Sequence, residues 1–337
     1  MGLSAATISD GLEDYLVKLT GGPVEISDVR KLSGGAIQEN WALDVSVEKG
    51  EWAGDHHLVM RCDAASGVAT SHSRAEEFAL LKAAHDADVM VPVPCILCDD
   101  ERVLGRRFFL MHRVEGVAAG HRLVRQADAP ELAYELGLNL ARIHSLKPPR
   151  DDLAFLGAPP ENPASAAIEM YRSYLDQLDA PHPAIEWGLR WLEKNAPEAA
   201  DAVLCHRDYR TGNYMVEGGH LSAVLDWEFA GWSDPLEDLG WLCAKCWRFG
   251  ANDREAGGIG SREDFYQGYE TASAHGIDRN AIYYWEVMAH VRWAVIACQQ
   301  AARHVSGEER SLELALTAHV VPELELEILN MTEPSHA

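Results

Sequence analysis

The chain has 337 residues, 47% of them hydrophobic, and a formal net charge of −24 at pH 7. That is ample apolar material for the cores of two lobes, while the acidity excludes a protein that tracks nucleic-acid phosphates. No apolar run approaches the roughly 18–20 residues of a membrane helix and no charged-then-apolar leader marks a secretory signal, so the expected location is the cytoplasm, with no membrane partner.

After a leading helix, two β-prone stretches, Val24 to Leu32 and Ile37 to Val47, flank Ser33-Gly34-Gly35-Ala36. Glycines at such a turn let backbone N–H groups approach phosphate oxygens with no Cβ in the way. No Gly-Lys-Ser/Thr follows, and taken alone the Gly-Gly step reads more readily as an ordinary turn. Leu58-Val59-Met60-Arg61 is an apolar strand ending in a cation. The spacing of Phe78, Leu81 and Ala84 predicts a helix over Ser73 to Ala87 that carries Glu76 and Glu77, either of which can pair with Arg61. Val91-Pro92-Val93-Pro94 ends that helix and starts another strand, and Arg107 to Gly116 reads as an apolar strand running into a glycine.

The rest is mainly helical. Helices are expected over Glu131 to Leu146, Ala164 to Leu178, Pro183 to Asn195, Pro235 to Trp247, Arg262 to His275, Arg279 to His304 and Glu309 to Leu329. Between them lie a short strand, Ala202 to Cys205, and a hairpin made of Tyr214-Met215-Val216 and Leu221 to Leu225 around Glu217-Gly218-Gly219-His220. Cys95/Cys98 and Cys243/Cys246 are 144 residues apart, whereas knuckles sharing a zinc lie about 15–20 residues apart. Neither a zinc site nor a disulfide framework is expected.

The strongest chemical signal is His206-Arg207-Asp208-Tyr209-Arg210-Thr211-Gly212-Asn213, with Asp226 thirteen residues further on at the end of the hairpin. Phosphoryl transfer needs one carboxylate beside the attacking hydroxyl and oxygen ligands for Mg²⁺. Asp208, Asn213 and Asp226 can supply that set, and neighbouring strands about 4.8 Å apart would let the last two converge on one ion.

On this loop, on the downstream Asp226 and on Asp234-Pro235-Leu236-Glu237-Asp238-Leu239, the chain resembles the aminoglycoside phosphotransferase family from about residue 25 to about residue 325. Within that family it looks most like the branch related to the kinase-like domains fused to some acyl-CoA dehydrogenases. The resemblance implies an α+β, bilobal protein-kinase-like fold: a small β-rich nucleotide-binding N-lobe over residues 1–113 and a larger, mainly helical C-lobe over 114–337. It implies that Asp208 is the catalytic base and that Asn213 and Asp226 are the magnesium ligands. It also implies that Ser33, Gly34, Gly35 and Ala36 cover the phosphates. By the same resemblance Arg61 takes the place of a kinase lysine, paired with Glu77 in preference to Glu76, and backbone groups of Met111, His112, Arg113 and Val114, in the linker between lobes, are expected to receive the nucleotide base. Arg61 keeps the positive charge and adds a bidentate geometry.

The implied activity is Mg²⁺-dependent transfer of the γ-phosphate of ATP, with GTP left open, to a hydroxyl of a small molecule. Only seven residues separate Asp226 from Asp234, too few for the activation segment of a peptide kinase, and Trp227 and Glu228 stand where a D-F-G step has Phe and Gly. The branch points to a hydroxyacyl-CoA or another catabolite as acceptor. An aminoglycoside or macrolide kinase and a non-catalytic pseudokinase are the alternatives. Charge does not favour aminoglycosides: it is −8 over the first 116 residues and −16 over the other 221, nearly equal densities. Trp232, Trp241, Trp247, Tyr283, Tyr284, Trp285 and Trp293 are candidates to line an acceptor pocket, although helical aromatics are ordinarily core. Oligomeric state is not set by the sequence.

Overall fold

The computed structural model describes residues 3–32, 38–63, 71–125, 128–273 and 276–333. They form two compact units: Met1–Gly116 with Asp151–Phe155 and Tyr214–Phe229, and Val117–Arg150 with Leu156–Asn213 and Ala230–Ala337. The fold is α+β, about 48% helix and 18% strand, with an antiparallel sheet in the first unit and helices dominating the second.

The first unit opens with α1 (Ala5–Thr20). Ser4 Oγ accepts the Thr7 N–H at its start, and Gly21 closes its end at φ +71°, a left-handed conformation that costs glycine nothing. Ile8, Leu12 and Leu16, one helical turn apart, are fully buried. They pack on one face of a sheet made of β1 (Val24–Lys31), β2 (Gln38–Val47), β3 (Gly54–Asp63), β4 (Pro94–Cys98) and β5 (Phe108–His112). The strand order is β1-β2-β3-β5-β4, antiparallel throughout. Because side chains alternate along a strand, Leu58, Met60 and Cys62 of β3 join the α1 core, and Val59 and Arg61 turn to the opposite face. There α2 (Arg74–Asp86) lies against β3, β4 and β5, with Phe78 edge-on to Phe109 at 5.9 Å between centroids. The hairpin Tyr214–Glu217 and His220–Val224 completes this unit. Its turn places Gly218 and Gly219 at φ +60° and +92°, the geometry of a two-residue hairpin loop.

In the second unit the long helix Arg279–Ser306 is the axis of the core. Val287, Val291, Ala294 and Val295 on it meet Ile185, Leu189 and Leu192 of the helix Pro183–Asn195 and Ile328 of the helix Val321–Thr332. The helices Pro130–Ile143 and Arg262–Ala272 pack closely through Gly137 and Gly268, where a Cβ would run into the facing backbone. A two-strand ladder, Val203–Cys205 with Gly231–Ser233, leads into the Asp208 loop.

Two expected helices are broken. The one beginning near Pro235 spans Leu236–Cys243, stops at Ala244 (ψ 138°), and is followed by a 3-10 turn over Lys245–Trp247. Arg248 caps it from five residues downstream: its Nη2 and Nε donate to the Cys243 carbonyl at 2.7 and 3.2 Å. The expected helix over Glu309 to Leu329 is three pieces, Leu312–Thr317, Ala318–Val320 and Val321–Thr332. Pro322 sits in the first turn of the last piece, where its missing N–H removes no helical bond. All seven cysteines are unpaired. Among the described residues, no helix is long and apolar enough to cross a membrane.

Candidate active site

The first unit gathers Arg61, Glu77 and Asp226. Arg61, the penultimate inward position of β3 on the α2 side, is 7% exposed. Its Nε lies 2.8 Å from Glu77 Oε1 and its Nη2 lies 2.6 Å from Asp226 Oδ1. Burial opposes the charge on this guanidinium, and the Glu77 and Asp226 carboxylates more than offset it, holding its pKa above the usual range. Glu77 also receives Arg74 Nη1, whose Nε reaches Asp63 Oδ1 at 3.0 Å. Glu76 is used elsewhere: its carboxylate accepts the Ser73 N–H at 2.8 Å in a capping box that starts α2.

Asp226 sits at φ +68°, a left-handed conformation that Asp tolerates better than most residues. Two residues on, Glu228 is 5% exposed and accepts Gln38 Nε2 at 2.5 Å. Burial and the neighbouring Asp226 push its carboxyl up to about 8. The sequence gives no sign of this contact, because Gln38 and Glu228 are 190 positions apart and meet only through the hairpin's place in this unit. In the stretch 111–114, the His112 and Arg113 N–H groups donate to the Val93 and His57 carbonyls at 2.9 and 2.8 Å. Met111 pairs with Val59 in the sheet, and the Val114 N–H has no partner among the described residues. Ser33, Gly34, Gly35 and Ala36 lie outside the described residues.

The second unit holds Asp208 and Asn213 on a loop fixed at several points. Asp238, fully buried, accepts the His206 and Arg207 N–H groups at 2.6 and 2.8 Å and bonds His144 Nε2 at 3.2 Å. Burial works against its charge, but His144 and His206 prevail and keep its pKa below the ordinary carboxylate value. Tyr209 Oη donates to the Leu136 carbonyl and Thr211 Oγ1 to that of Gly257, each at 2.8 Å. Arg207, at φ +61°, pairs with Glu237 at 3.2 Å, as does Arg292, so its guanidinium is engaged inside the protein.

The Asp208 carboxylate is held by three donors. Oδ1 accepts Arg210 Nε and Trp241 Nε1, both at 3.0 Å; Oδ2 accepts Asn213 Nδ2 at 2.5 Å. A carboxylate offers about four lone-pair sites, two on each oxygen. Oδ1 is therefore filled and Oδ2 retains one site. Asn213 turns its Nδ2 to Asp208, which points its Oδ1 the other way, an oxygen of the hard type magnesium takes. In the first unit Asp226 offers a carboxylate oxygen of the same hard type, and each of these donors by its chemistry suits Mg²⁺ bound to nucleotide phosphates.

His144, Cys205 and Asp238 also lie with their ligand atoms within 4.8 Å of one another. Each is engaged: His144 Nδ1 with Tyr269 Oη at 2.8 Å, Cys205 Sγ with the Asp234 carbonyl at 3.3 Å. Burial keeps the Cys205 thiol protonated, so this cluster braces the loop. Of the aromatic candidates, Trp241 touches Asp208, and Trp247 packs at a tilt between Trp241 and Trp293, with centroids 5.1 and 5.0 Å away. Trp285 and Tyr284 belong to the core around the long helix, and Trp232 bonds the Gly157 carbonyl.

The chain is similar to several known proteins. The mouse acyl-CoA dehydrogenase family member 10 is 27% identical over 249 residues, 69% of this chain and 22% of that protein, so the chain spans under a quarter of this relative's length. A Ralstonia eutropha structure named provisionally as an aminoglycoside phosphotransferase superposes with a TM-score of 0.74 at 22% identity, covering 96% of this chain and 97% of that one. Spectinomycin phosphotransferase, solved with ADP and spectinomycin, superposes at 0.62 with 15% identity, covering 99% and 96%. Both likenesses show a protein-kinase-like fold. The profile of the phosphotransferase enzyme family (APH) matches residues 28–275, and the chain belongs to that family.

Proposed function

We propose that the chain transfers the γ-phosphate of ATP, with magnesium, to a hydroxyl of a small molecule. The observation that carries this reading is the donor pattern on Asp208: three hydrogen bonds orient the carboxylate and leave one site on Oδ2 for an acceptor hydroxyl. As the new O–P bond forms and the bond from Pγ to the bridging oxygen breaks, the hydroxyl proton passes to Oδ2 and ADP leaves. Arg61, oriented by Glu77, supplies positive charge to the phosphates, and the free Val114 N–H is the donor for the nucleotide base. Asn213 and Asp226 would hold magnesium, which when bound neutralises charge on the β- and γ-phosphates. We assign nucleotide binding to the first unit and the base and acceptor contacts to the second.

The mouse relative, an acyl-CoA dehydrogenase family member, favours a hydroxyacyl-CoA or another catabolite over an antibiotic as acceptor. The test is ADP release with ATP or GTP, with and without magnesium, across hydroxyacyl-CoAs, aminoglycosides, macrolides and simple alcohols. Magnesium-dependent turnover on at least one alcohol is expected. Magnesium-dependent nucleotide binding without turnover on any of them would make the chain a pseudokinase.

A further inference from the structure

The surroundings of Asp208 in the second unit run against the protein's overall acidity. Arg210, two residues after Asp208, lays its guanidinium over the Trp247 ring at 4.5 Å while its Nε holds Asp208 Oδ1. Its Nη1 reaches only the Thr211 carbonyl, at 3.4 Å, and its Nη2 has no partner among the described residues. The side chain is 25% exposed. This is a cation pre-set by stacking, with donors left over in a fork that suits planar oxyanions. The Trp247 Nε1–H beneath it is buried without a partner among the described residues. Arg248, 7% exposed, donates to the Cys243 and Asn252 carbonyls, and no carboxylate within ion-pair distance answers its charge among the described residues. Arg210 and Arg248 both act electrostatically on the Cys246 thiol, with Glu323 acting in the opposite sense. The nearest acid to Arg210 is the base itself. Glu237, on the helix that carries Trp241, is taken by Arg207 and Arg292.

We propose that the acceptor side of Asp208 is built for an anionic alcohol: a small molecule carrying a carboxylate or phosphate oxygen group close to the hydroxyl that is phosphorylated, recognised by Arg210 on the Trp247 shelf. It rests on the reading of Asp208 as the base. A polycationic acceptor would meet Arg210 and be repelled; an anionic one finds the donors that Asp208 and the backbone leave over. Arg210 also orients Asp208, so its two roles must be separated. Orientation alone affects every acceptor in the same way, whereas anion recognition affects the binding of anionic acceptors only.

The experiment uses the full chain with MgATP and ADP-release kinetics on 3-hydroxybutyrate, glycerol 3-phosphate, 1-butanol, choline and kanamycin. The first two distinguish a carboxylate from a phosphate as the source of the anion. At least one of them should have a kcat/KM about tenfold or more above those of choline and kanamycin. Arg210→Ala should raise KM for that anionic acceptor about tenfold while leaving KM for 1-butanol unchanged, and Arg210→Lys should restore part of the loss. Equal use of cationic acceptors, or an Arg210→Ala variant that lowers kcat alike for all acceptors with unchanged KM, would overturn the proposal. With a non-hydrolysable ATP analogue, the same compounds are compared by thermal shift, so that a panel without turnover still decides. Anionic members that raise the melting temperature no more than the others overturn it. Loss of the magnesium-dependent nucleotide shift counts instead against the phosphotransferase reading.

Discussion

Replacing Glu77 by Gln separates the two glutamates that the sequence offers to Arg61. Glu77 is 1% exposed and neutralises two guanidiniums, Arg61 at 2.8 Å and Arg74. Breaking a buried ion pair by removing one partner costs about 3–5 kcal/mol. Here Gln keeps one acceptor oxygen, Arg61 keeps Asp226 and Arg74 keeps Asp63, so the loss should be nearer 2–3 kcal/mol. At about 2–4 °C per kcal/mol for a unit of this size, the first unit should melt roughly 5–10 °C lower. Arg61, released from one side, should hold the phosphates less well, and MgATP affinity should fall about tenfold, equivalent to about 1.4 kcal/mol. Glu76→Gln keeps an amide oxygen for the Ser73 N–H, so the capping box persists; it should cost less than about 1 kcal/mol and should leave MgATP affinity unchanged. Scanning calorimetry and MgATP titration of the two variants side by side give the answer. If Glu76→Gln weakened MgATP more than Glu77→Gln did, or Glu77→Gln were as stable as the parent, the reasoning would be refuted.

Two further outcomes follow from the second unit. His290 is 1% exposed; its Nδ1 bonds the Glu286 carbonyl at 2.7 Å and its Nε2 has no partner among the described residues. Burial lowers its pKa below 6.5, with Arg248 and Lys245 adding to the effect against Glu327. The unfolded chain therefore binds the proton more readily, and stability contributed here is present above about pH 6.5 and lost as the pH falls below it. His290→Leu should flatten the urea-denaturation slope between pH 6.5 and 5, and an unchanged slope would contradict this assignment. Gly137→Ala would set a Cβ 2.7 Å from the Tyr269 nitrogen and against the Phe265 carbonyl. Neither backbone group can swing aside, so a loss of about 1–3 kcal/mol is expected by thermal unfolding; an unchanged or raised melting temperature would show that the two helices can part.

What the sequence made legible was local. The spacing from Asp208 to Asn213 survives any packing, and the loop lies where a short strand delivers it. Arg61 was legible as the end of an apolar strand, but its face depends on the two-residue alternation that sends Leu58 and Met60 to α1. The choice between Glu76 and Glu77 had a readable clue in Ser73-Arg74-Ala75-Glu76, a capping-box pattern that commits Glu76. Pro322 was another clue, marking a helix start inside a stretch expected as one helix. The break at Ala244 had none, since its cause is Arg248 returning to the Cys243 carbonyl. The same holds for the donors on Asp208. Trp241 is 33 residues away from it, and no periodicity announces that an indole N–H will meet a carboxylate.

The central claim is that Asp208 Oδ2 takes the acceptor proton. The most direct measurement is transfer of γ-labelled phosphate by the parent and by Asp208→Asn on the best acceptor found, with MgATP affinity measured in parallel. The account predicts a fall in kcat of about 10²–10⁴-fold, with MgATP affinity unchanged. Near-normal transfer by Asp208→Asn, with nucleotide binding intact, would contradict it.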